Sequence, residues 1–138
     1  MILNIKNKQL IVDILRRNNA VVGYLFGSYA RGTAGVLSDF DVAVAFPIDM
    51  SIETQDNKIE DIRSGLEKIY GRDKVDVMNI PKLKTPLLRY IITLGEGILL
   101  FTDDRSLLNN LVDFARRDYE DTKPLRAIQG LYLKSLFI

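Results

Sequence analysis

Two aspartates separated by one residue, Asp39-Phe40-Asp41, open a stretch that alternates polar or small residues with large ones as far as Phe46. On a strand, residues two apart project from the same face, about 7 Å from each other. Two carboxylates held side by side repel. They persist where water hydrates them or where a cation lies between them. Alone, such a pair is the ordinary mark of a solvated strand face. The residues just upstream shift that reading. Val21–Phe26 is an apolar run that reads as a buried strand, and Gly27-Ser28 ends it. A strand that turns through Gly-Ser into a helix points backbone N–H groups at the space above the sheet, and that arrangement attracts phosphate. Gly27 lets a phosphate come close to the backbone, and the Ser28 hydroxyl adds a hydrogen bond. With Asp-x-Asp on the following strand, a triphosphate and its metal ion become a coherent ligand. Mg²⁺ is the natural ion, since it takes one or two carboxylates and fills its shell with substrate phosphates.

A third carboxylate is expected, because phosphoryl-type transfer with two metals needs a shared bridge and a base near the attacking hydroxyl. Asp76 qualifies. It interrupts the apolar run Val75, Val77, Met78, where an unpaired charge is costly. The alternative is a partner for Lys74 or an exposed alternating position. Arg31 either reaches a phosphate or pairs with a carboxylate and fixes the loop. Tyr29 either lines the cleft or packs. Asp49, Asp56 and Asp73 read as surface charge.

The composition limits the chemistry to this kind. The 138 residues include no His and no Cys. Imidazole relays, thiolate nucleophiles, disulfides and His or Cys metal sites are therefore excluded. Nineteen Lys and Arg against 18 Asp and Glu give a net charge of +1, which offers no strong pull toward nucleic acid or anionic lipid. The longest apolar run falls far short of the ~20 residues of a membrane span, and the N-terminus has no signal-peptide core. A cytoplasmic protein is expected.

The elements that must position these residues follow from periodicity. A helix is predicted over Lys6–Asn18, with Leu10, Ile11, Ile14 and Leu15 on one face. After the strand Val21–Phe26, Ser28 is expected to cap a short helix over Tyr29–Gly32. Thr33–Ser38 is loop, and Asp39–Phe46 is a strand. Ile59, Ile62, Leu66 and Ile69 place a helix near Thr54–Tyr70, with Gly71 at its C-terminus. Lys74–Asn79 is a short strand, Lys82–Leu94 a helix and Gly97–Thr102 another strand. Asp103 or Asp104 caps a helix that turns Leu107, Leu108, Leu111, Val112 and Phe114 inward. Pro124 divides it from a last helix, Leu125–Phe137. The short link between the first two strands favours antiparallel neighbours. The fold class is α+β: a small mixed or antiparallel sheet backed by helices on one face, the other face partly open.

The string FGSYARGTAGVLSDFDVAV, with Gly27-Ser28, ten intervening residues, Asp39-Phe40-Asp41, and Asp76 beyond it, resembles the signature of the DNA polymerase β-like nucleotidyltransferase superfamily. The compact length resembles its minimal nucleotidyltransferase branch, the MNT or MntA antitoxins paired with HEPN toxins. The resemblance implies the polymerase β-like fold in one domain, with a catalytic core over 1–101 and C-terminal helices over 102–138. It implies transfer of AMP from ATP to a hydroxyl, a tyrosine of the partner toxin. Gly27 and Ser28, with Arg31, would bind the nucleotide phosphates. Asp39, Asp41 and Asp76 would ligate two Mg²⁺ ions, and Asp76 would help deprotonate the acceptor.

Only 37 residues follow Phe101, so the acceptor is expected on another molecule. The apolar end Gly130–Ile138 is read as core, or else as a surface for a partner or for self-association. Two other functions stand beside transfer to a toxin: a non-catalytic antitoxin that acts by docking, and transfer to a small molecule such as an aminoglycoside. Direct nucleic-acid binding is not expected, since no basic groove or row of stacking aromatics is evident.

Overall fold

A computed structural model describes residues 5–35 and 38–124. The expected helix over Leu125–Phe137 and the apolar end Gly130–Ile138 lie outside the described residues.

Helix α1 spans Ile5–Arg17. Its inner face is Ile11, Val12, Ile14 and Leu15, whereas Leu10, expected inward, is 45% exposed. Asn19 adopts a left-handed φ of 68° and turns the chain into strand β1, Val22–Phe26. Helix α2 covers Gly27–Arg31, starting two residues earlier than expected. Ser28 is therefore inside it rather than its cap; Phe26 holds the cap position, and no side chain caps the helix. Gly32, left-handed at φ 73°, ends it. Strand β2 is Phe40–Ala45.

Helix α3 runs Ile52–Tyr70, starting earlier than the apolar period suggests because Ser51 Oγ accepts from the Thr54 amide. Ile62 and Leu66 are buried, but Ile69 is 44% exposed; Tyr70 turns toward the sheet in its place. Strand β3 is Val75–Asn79. The single helix expected over Lys82–Leu94 is instead a 3₁₀ turn, Ile80–Lys82, followed by helix α4, Pro86–Leu94. Pro86 lacks an N–H and disfavours helix before it, so it starts α4 rather than sitting inside it. Strand β4, Ile98–Thr102, precedes helix α5, Arg105–Asp121. Asp104 is the cap, its carboxylate accepting from the Leu107 amide at 3.0 Å. Leu108, Leu111 and Ala115 face inward, and Phe114 is 54% exposed, contrary to its expected burial.

The sheet order is β3-β2-β1-β4. β1 is antiparallel to β2 and to β4, and β2 is parallel to β3. The alternation read in β2 holds: Phe40, Val42, Val44 and Phe46 join α1 and α3 in one core, while Ala43 and Ala45 face the other. That second face is not bare. Ile92 of α4 with Leu108 and Leu111 of α5 cover its far end, leaving the end at Asp41 and Asp76 only half-buried.

Phe40, fully buried between two aspartates in sequence, anchors that end. Its ring stacks on Tyr70 at 3.9 Å, and Tyr29 of α2 meets it edge-on at 5.2 Å. Such aromatic contacts add about 0.5–1.5 kcal/mol each beyond burial. Phe40→Ala is expected to cost about 3–5 kcal/mol in urea unfolding, because a large fully buried side chain is removed. Phe40→Leu should retain most of that stability.

Candidate active site

The site forms where β1 ends and β2 and β3 begin. In the antiparallel ladder Phe26 lies opposite Asp41, and in the parallel one Asp41 lies opposite Asp76. The structure thus brings two of the three predicted carboxylates side by side on one face. Asp39 precedes β2 and is exposed; the Phe40 amide, donating to the Lys74 carbonyl at 2.7 Å, pins the strand just after it. Among the described residues no Lys or Arg lies within ion-pair distance of Asp39, Asp41 or Asp76, so Lys74 does not neutralise Asp76.

Gly27 is the other half of the arrangement. Its φ is +74°, a conformation that L side chains rarely adopt. A Cβ there would collide with Asp41 Oδ2 and lie 3.1 Å from its Cγ. The Asp41 carboxylate therefore occupies the space that a side chain on residue 27 would need. Burial pushes the Asp41 carboxyl up to about 6, and the charges of Asp76 and then Asp39 push the same way. Arg31 pulls in the opposite direction.

Arg31 sits at the end of α2, and its Nη1 donates to Glu96 Oε2 at 3.1 Å. Glu96 is the residue that the sequence did not offer: it is 65 positions away and has no motif around it. Tyr29 packs, edge-on to both Phe40 and Tyr70, and so ties α2 to the sheet.

The donor set fits a hard divalent cation. Asp41 and Asp76 supply oxygen ligands of like charge on adjacent strands, and burial, then the Asp76 charge, holds the Asp41 carboxyl above the usual carboxylate range. Among the described residues no group of three acidic side chains is gathered closely enough to hold a metal ion, which leaves the Asp41–Asp76 pair without Asp39. That suits an ion that completes its shell with phosphate and water.

Residues 9–106 match the family model "Polymerase beta, Nucleotidyltransferase". The chain belongs to the polymerase β-type nucleotidyltransferase family. The fold is also that of solved toxin–antitoxin chains over nearly the whole length. One, a crystal structure of a toxin–antitoxin with AMP-PNP, has a TM-score of 0.68 at 21% identity, covering 96% of this chain and 99% of the other. A second comes from the tri-AMPylated Shewanella oneidensis HEPN toxin in complex with MNT antitoxin: TM-score 0.63, 18% identity, 96% of this chain and 98% of that one. A third, from the toxin–antitoxin MntA-HepT, has a TM-score of 0.63 at 18% identity, with 98% and 100% covered. No curated protein sequence matches the chain. Among the described residues no helix is long and apolar enough to cross a membrane.

Two outcomes follow from the geometry. Gly27→Ala is expected to lose about 1–2 kcal/mol from its φ alone, and more from the collision with Asp41. Urea unfolding checks it, and Ser28→Ala, beside it but free of both constraints, should cost far less. Asp41→Asn should raise the melting temperature of the metal-free protein at pH 7.5 by a few degrees. At that pH Asp41 is ionised at a cost, first from burial and then from its like-charged neighbours, and the neutral amide removes that cost. Allowing for solvent screening, the gain is on the order of 1 kcal/mol.

Proposed function

We propose that this chain is a Mg²⁺-dependent nucleotidyltransferase that moves AMP from ATP to a hydroxyl, a tyrosine of a cognate HEPN toxin, and so acts as an antitoxin. The observation that carries the reading is the pairing of Asp41 with Asp76 beside the bare backbone of Gly27. The solved structures of similar fold support it: one holds AMP-PNP, and another contains an AMPylated HEPN toxin with its MNT antitoxin.

In this reading residues 1–101 are the catalytic core, and residues 102–138 complete the domain. Asp39, Asp41 and Asp76 hold Mg²⁺. When bound, Mg²⁺ supplies neutralisation of charge on the phosphates and on the carboxylates. Gly27 gives the β- and γ-phosphates access to backbone N–H groups, the Ser28 hydroxyl donates to them, and Arg31 adds a cation at the rim. The acceptor oxygen forms a bond to the α-phosphorus as the bond from that phosphorus to the bridging oxygen of the β-phosphate breaks. Pyrophosphate leaves with the bond's electrons. Asp76 takes the proton of the acceptor hydroxyl and passes it to water. No step calls for His or Cys.

The test uses ATP labelled at the α-phosphate, Mg²⁺ and the cognate toxin. Label is expected on the toxin, removed by EDTA and lowered at least about a hundredfold in Asp41→Asn and Asp76→Asn, as for loss of a group acting in the transition state. Label from the γ-phosphate should not transfer. Transfer unaffected by either substitution overturns the site.

A further inference from the structure

The pairing of Arg31 with Glu96 raises a question of charge. Asp39, Asp41 and Asp76 carry no ion-pair partner among the described residues. Arg31 lies one helical turn beyond Gly27 in α2, on the side where the Gly27 backbone adjoins Asp41. A long, flexible guanidinium next to uncompensated carboxylates is drawn onto them, since a bidentate Arg–carboxylate pair is the favoured geometry. There it would fill the space in which a metal ion must sit. Instead Arg31 is turned aside to Glu96, with both side chains about half exposed.

Glu96 is placed firmly enough to do this. It lies in the Gly95-Glu96-Gly97 turn between α4 and β4. The Gly95 amide donates to the Tyr90 carbonyl at 3.1 Å, and Gly97 lies so close to the Ile92 carbonyl that no Cβ fits there. On the other side, the packing of Tyr29 on Phe40 and Tyr70 fixes α2. The two ends of the Arg31–Glu96 bridge thus belong to separately anchored elements.

We propose that Glu96 is a positioning residue that holds Arg31 at the rim of the site, off Asp41, and so keeps the carboxylate cluster open for its metal ion. Glu96 engages Arg31 through Nη1. Nε and Nη2 remain for an incoming phosphate oxygen. The inference rests on the nucleotidyltransferase reading and adds to it a residue outside the signature motif.

The experiment measures Mn²⁺ binding by the disappearance of the free-ion electron paramagnetic resonance signal. The protein is titrated without nucleotide, whose phosphates would bind Mn²⁺ themselves. Four proteins are compared: wild type, Glu96→Gln, Arg31→Ala and the double variant, each checked for folding by circular dichroism. Glu96→Gln is expected to weaken Mn²⁺ binding about three- to tenfold, because the released guanidinium competes for Asp41. Removing Arg31 as well should restore binding to within about twofold of Arg31→Ala alone, since the competitor is gone. A merely structural bridge gives another pattern: the double variant binds no better than Glu96→Gln. That result, or unchanged binding in Glu96→Gln, overturns the proposal. A wild type that binds Mn²⁺ but gives no label transfer overturns the transfer reading and leaves this one standing. A wild type that binds no Mn²⁺ overturns both.

Discussion

The Asp41 carboxylate lies where a side chain on residue 27 would be, and the site depends on that exclusion. β1 and β2 are antiparallel neighbours, so the residue that ends β1 stands opposite the start of β2. Any L-residue at position 27 would meet both an unfavourable φ and the carboxylate oxygen. With glycine there, backbone and carboxylate share one small volume. The parallel register of β3 then adds Asp76 alongside. A motif that is linear in sequence becomes a cluster through two ladders, one of each sense.

Such a cluster is unfavourable for the free protein. Asp41 is half-buried, with two like charges near it and no ion-pair partner among the described residues. The rest of the fold must offset this. The fully buried Phe40, with Tyr29 and Tyr70 on its ring, fixes the backbone between Asp39 and Asp41 from the opposite face of the sheet. Helices α1 and α3 complete that core, and α4 and α5 seal the far end of the second face. A rigid apolar scaffold thus holds a strained polar edge, as expected where charge must be preorganised before a ligand arrives.

Much of this was legible from sequence because it is written in short-range pattern. The strict alternation over Asp39–Phe46 gave the two faces of β2, and the Gly-Ser break marked the end of β1. Helix boundaries failed where local chemistry overrode apolar period. Ser51 began α3 early, Pro86 split the helix expected from Lys82, and Phe26 rather than Ser28 took the cap of α2. Leu10, Ile69 and Phe114 share the helical period of core residues yet are exposed, because which flank of a helix is covered depends on its neighbours. The link from Arg31 to Glu96 had no sequence signal at all, since it joins a short helix to a turn 65 residues away. The juxtaposition of Asp41 with Asp76 needed the parallel register, which periodicity alone does not supply.

If uncompensated carboxylates govern the site, the triphosphate binds tightly only together with a counter-ion. Isothermal titration of the protein with the non-cleavable ATP analogue, once in Mg²⁺ and once in EDTA, tests this most directly. Binding is expected to be at least about tenfold tighter with Mg²⁺, a difference of ~1.4 kcal/mol or more. Equal affinity in the two solutions would contradict the account.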